Sequence, residues 1–185
     1  MKSFIPWIGG KTLLAKRIVS LFPDNISRYI DVFGGGGSVL FYQDKNAPLE
    51  VYNDLNSNLV NLFRCAKYHR AELQREISGY YNAREVFDDI KARLNMRGFT
   101  DIQRAAMFYC DPPYHKTEKY YDAEFSEDDH LRLKRCLNDI QGRFILSYND
   151  DDFIRDLYHD FHIIPVERQN NLSKGSYKEL IIKNF

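Results

Sequence analysis

Asp111-Pro112-Pro113-Tyr114 sets a carboxylate, a carbonyl on a stiff backbone and an aromatic ring within four residues. An ionised Asp111 and the carbonyl of Pro112 can each accept one N–H of an exocyclic amine. Such an amine is a poor nucleophile because its lone pair is delocalised into the ring that bears it. Two acceptors drawing on its N–H bonds return electron density to nitrogen. The prolines limit φ and hold the carbonyl in one direction, which is the preorganisation such chemistry requires. Tyr114 adds a face on which an extruded base can stack. The same four residues also make an ordinary loop, since proline punctuates turns. Asp111, Pro112 and Tyr114 are therefore the candidate catalytic residues. Cys110 is expected to be a packed residue, because direct attack by an amine needs no covalent intermediate. His115 is a candidate for contact with a substrate phosphate. The five histidines form no ligand cluster, and no metal is expected. Ser147-Tyr148-Asn149-Asp150 either lines the same crevice or supplies a helix N-cap at Asn149 or Asp150.

A second cluster lies upstream, at Asp31-Val32-Phe33-Gly34-Gly35-Gly36-Gly37. A strand that runs into glycines permits positive φ and lets a ligand approach the main chain. The bland alternative is a tight turn. Two phosphate-binding patterns fail by one residue each: the dinucleotide fingerprint needs glycine where Val39 stands, and the P-loop needs it at Ile5. Asp54 closes the following strand about 20 residues past the first glycine, where an acid conventionally holds ribose hydroxyls. A nucleoside without a pyrophosphate fits this set, and S-adenosylmethionine is such a molecule. Trp7 and Phe33 are candidate aromatic faces for its adenine or its cation, with ordinary core packing the alternative for Trp7.

These residues need elements to position them. Thr12–Phe22 carries Leu14, Ile18 and Leu21 at helical spacing. Tyr29–Phe33 and Leu49–Tyr52 read as strands, with a helix expected over Ser38–Gln43 between them. That order opens a parallel α/β sheet. Ser57 to about Ala106 reads as helical, with breaks near Ser78-Gly79 and Gly98. Ser126, with Asp129 three residues on, is an N-cap for a helix running to Gly142. Phe144–Tyr148 reads as a strand, Asp152–His159 as a helix, and Phe161–Val166 and Leu180–Phe185 as two antiparallel strands. Met107-Phe108-Tyr109-Cys110 should be the strand that delivers Asp111, yet no breaker separates it from the helical spacing of Thr100–Phe108.

At 185 residues the chain suits one domain, residues 1–185, with a helical insertion at about 57–106. Hydrophobic residues at 44% and charged residues at 28% describe a soluble globular protein. Three scattered cysteines and no signal peptide point to the cytoplasm. The net charge of +0 does not itself indicate nucleic acid. Contact with phosphate would need positive charge gathered on one face, from Arg64, Lys67 and Arg70, from Arg93, Arg97 and Arg104, or from Arg168, Lys174 and Lys178; on charge alone, solvated helix faces are the favoured reading of these groups.

Taken together, Trp7-Ile8-Gly9-Gly10-Lys11, Asp31–Gly37, Asn53-Asp54-Leu55-Asn56 and Asp111–Tyr114 occur in an order that resembles the DNA adenine methylase family, the D12 class of N6-adenine-specific enzymes. Asn170–Phe185 is similar to the closing hairpin of that family. The resemblance covers nearly the whole chain. It implies a Rossmann-like α/β methyltransferase fold, a mostly parallel sheet with an antiparallel C-terminal strand, and methyl transfer from S-adenosylmethionine to N6 of adenine in DNA. It implies that Trp7, Lys11, Asp54 and Asp111 contact the cofactor, that Phe33 lines its pocket, and that Asp111 and Tyr114 serve the adenine. DNA is the expected partner and a monomer the expected state. The family's target-recognition region would fall between Phe108 and the Asp-Pro-Pro-Tyr motif, and this chain lacks it. RNA adenine or cytosine N4 as the acceptor, and a cofactor-binding remnant with impaired catalysis, are the alternatives; a P-loop ATPase is a distant one.

Overall fold

In a computed structural model of the chain, the described residues are 3–5, 7, 10–80, 88–89, 92–93, 97–110, 126–169 and 176–185. The chain divides into two compact units, Met1–Tyr120 and Tyr121–Phe185.

In the first unit, α1 (Ala15–Val19) is shorter than the spacing of Thr12–Phe22 predicts. Leu14 at its N-cap offers no side-chain acceptor, and the chain leaves the helix through three-residue turns, Leu21 N–H to Ile18 and Phe22 N–H to Val19. Strand β1 (Arg28–Asp31) lies parallel to β2 (Leu49–Tyr52), with Arg28 opposite Leu49 and Asp31 opposite Tyr52. The helix expected over Ser38–Gln43 is a run of turns instead. Phe41 donates its N–H to Gly37 and turns its ring toward Phe4 and Phe63, so aromatic packing wins over helical continuation. Alternation along the pair is inverted. Tyr29, Asp31, Glu50 and Tyr52 are half-buried, whereas Ile30, Leu49 and Val51 are 56, 49 and 39% exposed.

Helices α2 (Ser57–Tyr68), α3 (Arg70–Ile77) and α4 (Asp101–Cys110) form the core of this unit. Asn56 caps α2 by accepting the Leu59 N–H at 3.0 Å. Leu59, Leu62 and Cys65 then form a buried stripe that clusters with Leu73 of α3 and with Ala105, Ala106 and Phe108 of α4.

Helix α4 corrects the expectation of a strand at Met107–Cys110. Thr100 and Gln103 form a reciprocal cap: the Thr100 N–H donates to Gln103 Oε1 at 3.0 Å and the Gln103 N–H donates to Thr100 Oγ1 at 3.2 Å. Once nucleated, the helix propagates through Ala105-Ala106, strong helix formers that meet no breaker. Ala105, Ala106, Met107 and Phe108 are buried as it does so.

In the second unit, α5 (Glu127–Asp139) begins in the full capping box expected of Ser126 and Asp129. It is followed by β3 (Ile145–Asn149), α6 (Asp152–Leu157), β4 (His162–Gln169) and β5 (Ser176–Lys183). The sheet order is β3-β5-β4, with β5 antiparallel to both neighbours, as expected for the last two strands. Phe144, Ile154, Tyr158, Leu180 and Ile182 make its core. Lys134, almost fully buried, donates to both Asp160 oxygens at 2.5 and 2.7 Å and lies 3.8 Å from the Phe161 ring centroid. That hydrogen bond from Lys134 holds the Asp160 carboxyl below the usual carboxylate range.

The described strands thus make a parallel pair and an antiparallel trio. Among the described residues, no helix is long and apolar enough to cross a membrane.

Candidate active site

The glycine turn at the end of β1 is built by residues at the end of β2. Asn53 donates its N–H to Asp31 at 2.8 Å, extending the parallel pairing, and its carbonyl accepts the Gly34 N–H at 2.9 Å. Its side chain donates to the Val32 carbonyl at 2.8 Å. Tyr52 and Asp54, one residue to either side, both reach Gly35: the Tyr52 hydroxyl donates to the Gly35 carbonyl at 2.8 Å, and Asp54 Oδ2 accepts the Gly35 N–H at 2.8 Å. The other Asp54 oxygen accepts the Asn56 N–H at 2.9 Å. The carboxylate therefore fastens the glycine turn to the start of α2.

Gly34 and Gly35 are required here by close approach. A Cβ on Gly34 would stand 2.2 Å from Tyr52 Cε2, and one on Gly35 would stand 2.9 Å from Trp7 Cδ1. Gly35 also has φ of +48°, which favours glycine. The missing side chains thus make room for the protein's own aromatic rings on that side of the turn. The sequence points to bare backbone for a ligand; the packing adds this second reason for glycine.

Trp7 is half-buried, with its ring centroid 6.3 Å from that of Phe108. Phe33, at the tip of β1, is 58% exposed and presents an aromatic wall beside the turn. The Lys11 carbonyl accepts the N–H groups of Leu14 and Ala15 and opens α1. Thr12 Oγ1 lies 3.1 Å from Ser38 Oγ, which ties that opening to the residue after the last glycine. Trp7, Lys11, Phe33 and Asp54 all belong to the first unit, and three of them, Trp7, Phe33 and Asp54, border the glycine turn.

The electrostatics of the half-buried face are unusual. Burial raises the Asp31 carboxyl to about 6; the Tyr29 hydroxyl bonded to it opposes that rise and the nearby Asp54 charge adds to it. Burial also pushes the Tyr52 hydroxyl well above its ordinary range, with the Asp54 and Asp31 charges acting in the same direction. The Tyr52 hydroxyl therefore keeps the proton it donates to Gly35.

Asp111, Pro112, Tyr114 and His115 lie outside the described residues, as does the turn at Asn170-Asn171. The Ser147–Asp150 group is engaged within its own unit. Tyr148 Oη lies 2.7 Å from His130 Nδ1, Asn149 donates to Asp151 at 2.6 Å, and Asp150 pairs with Arg155 at 2.5 and 2.8 Å. The N-cap of α6 is the next residue, Asp151, which accepts the Ile154 N–H at 2.9 Å. Sequence reasoning passed over Tyr52. The signal was available: on a strand, residues two apart share a face, so an acid at 54 has Tyr52 beside it.

The sequence profile of the D12 class N6 adenine-specific DNA methyltransferases matches residues 7–108 and 99–172. The chain belongs to that family. Similar curated proteins include the Retron Ec67 DNA adenine methylase of Escherichia coli, 26% identical over 255 aligned residues that cover 96% of this chain and 88% of the relative. The Type II methyltransferase M.CviBI of Paramecium bursaria Chlorella virus NC1A is 21% identical over 260 residues, covering all of both chains. The DNA adenine methylase of Haemophilus influenzae is 22% identical over 265 residues, covering all of this chain and 92% of that one. Each of these alignments is at least 70 positions longer than the 185 residues of this D12-class chain. The two profile matches also share residues 99–108, most of which lie in α4. Membership in this methyltransferase family implies a methyl donor and a DNA substrate.

Proposed function

We propose that this D12-class enzyme takes S-adenosylmethionine as its donor at the carboxyl ends of β1 and β2, and methylates N6 of adenine in DNA through Asp111 and Pro112. The observation that carries the reading is the Asp54 carboxylate held 2.8 Å from the Gly35 N–H, at the end of the strand following the glycine turn. Each of its oxygens spends one lone pair on a backbone N–H and keeps another for a hydroxyl. The donor set suits a nucleoside: an acid for ribose, with Phe33 and Trp7 as aromatic surfaces and Lys11 nearby. S-adenosylmethionine, when bound, supplies a methyl group on a positively charged sulfur. Asp111 accepts one N–H of the adenine amine and the Pro112 carbonyl accepts the other. Tyr114 stacks on the base after it leaves the duplex. Positioning is the main catalytic contribution.

A Rossmann-like, mostly parallel sheet within one methyltransferase domain belongs to the same proposal. Its support is the parallel pair with Ile30, Leu49 and Val51 outward, since parallel sheets are covered on both faces. A second reading, cofactor binding without turnover, is favoured by α4 running as helix through Cys110, immediately before Asp111.

Labelled methyl transfer to unmethylated DNA and to RNA, followed by digestion to nucleosides, tests the proposal. N6-methyldeoxyadenosine is expected from DNA, with no label in RNA. Asp111→Ala should abolish transfer, and Asp54→Ala should raise KM for the donor about tenfold or more, as loss of charged hydrogen bonds does. Donor binding without product would favour the second reading. Label in cytosine, or in RNA, would overturn the assignment of the acceptor.

A further inference from the structure

We infer that Tyr52 is a positioning residue of the cofactor site, acting through Gly35; this rests on the glycine turn being that site. Three observations carry it. The Tyr52 hydroxyl donates to the Gly35 carbonyl at 2.8 Å, while Asp54 takes the N–H of the same residue at 2.8 Å. Both polar groups of one left-handed glycine are thus held from a single strand end. The ring of Tyr52 fills the space a side chain on Gly34 would occupy, and packs edge-on against Phe63 with centroids 4.6 Å apart. Strand alternation does the rest. Tyr52 and Asp54 face one way, and Asn53 faces the other to hold Val32.

The consequence is geometric. Gly35 adopts φ of +48°, a region from which a free glycine escapes easily. Tyr52 ties the peptide that follows Gly35 through its carbonyl, and Asp54 ties the peptide that precedes it through its N–H, so the two planes flanking the Gly35 Cα cannot turn against each other without breaking one of these bonds. The carboxylate is held in the orientation that leaves its remaining lone pairs for a ligand. Without the hydroxyl, the turn samples other peptide orientations, and part of the binding energy goes into restoring this one. Burial, with the Asp54 and Asp31 charges, raises the Tyr52 pKa, so the hydroxyl keeps the proton that this bond needs.

The test uses the full chain and Tyr52→Phe, which keeps the ring against Gly34 and removes only the donor. S-adenosylhomocysteine is the probe in calorimetry. Its Kd should rise about threefold to tenfold, the range expected for one hydrogen bond. In the methyl-transfer assay, KM for the donor should rise by the same factor, with kcat unchanged at saturation. The Gly35 amide resonance should shift in Tyr52→Phe with no ligand present. Asn61→Ala removes a 2.7 Å hydrogen bond to the Asp101 carbonyl at the start of α4 and the acceptor of an Arg64 bond, neither of them a partner of Gly35, and should leave Kd and KM unchanged. Equal affinity of wild type and Tyr52→Phe, or an unmoved Gly35 resonance, overturns the role of Tyr52. An equal loss in Asn61→Ala also overturns it, by making the effect general destabilisation. If the wild type itself does not bind the probe, the cofactor reading fails first and the inference falls with it.

Discussion

Asp31 opens the motif that leads into the glycine turn, yet its carboxyl is buried beside Tyr29 with no cation among the groups that shift it. Burial raises its pKa from 3.8 to about 6, and the sign of the consequence follows from proton counts. Below about pH 4 the folded and unfolded chains both hold the proton. Between about 4 and 6 the folded chain binds more protons than the unfolded one, so stability falls as pH rises. Above about 6 the full cost of the buried charge persists, on the order of 2–3 kcal/mol. Asp31→Asn should therefore raise Tm at pH 7.5, with the gain vanishing as pH drops below about 4. A gain independent of pH, in thermal melts across that range, would refute the assignment. The sequence pointed to Asp54 beside the glycines because spacing along two strands is readable one residue at a time. It did not reveal that both oxygens of Asp54 hold backbone, because those partners, Gly35 and Asn56, are set by where the chain turns in space.

At the scale of elements, capping was the most legible signal and strand delivery the least. Ser126 with Asp129 and the antiparallel pairing of β4 with β5 were readable from local chemistry and linker length. The strand expected before Asp111 was inferred from what the motif requires, not from its residues. Ala105-Ala106 and the Thr100–Gln103 cap favour helix, and the local preference prevails in α4. Thr100→Ala should remove the hydroxyl half of the reciprocal cap, the acceptor of the Gln103 N–H, and cost about 1 kcal/mol, visible as a lower urea midpoint with an unchanged slope. A midpoint equal to wild type would mean that packing of Phe108 and Ala105, rather than the cap, sets where α4 begins. The inverted alternation of β1 and β2 also escaped the sequence reading, because half-burial of Tyr29, Glu50 and Tyr52 depends on their neighbours across the turn.

For the whole molecule, the net charge is +0, and among the described residues several arginines are paired with acids. Arg64 and Arg104 both bond Asp101, Arg93 bonds Asp89, Arg132 bonds Asp129 and Arg155 bonds Asp150. Most of these cations are solvent-accessible, yet each already has an acid beside it. Nonspecific affinity for duplex DNA should consequently fall no more than about tenfold between 50 and 200 mM salt, as for roughly two phosphate contacts. Fluorescence anisotropy against salt measures this, and a much steeper slope would identify a basic face that these pairs do not describe. The order β3-β5-β4 has one more consequence, for synthesis. The ribosome releases both outer strands before it makes the middle one. Until Ser176–Lys183 emerges, neither β3 nor β4 has its ladder partner among the described strands, so the nascent chain carries two unpaired strands and must wait for β5 before these three can pair.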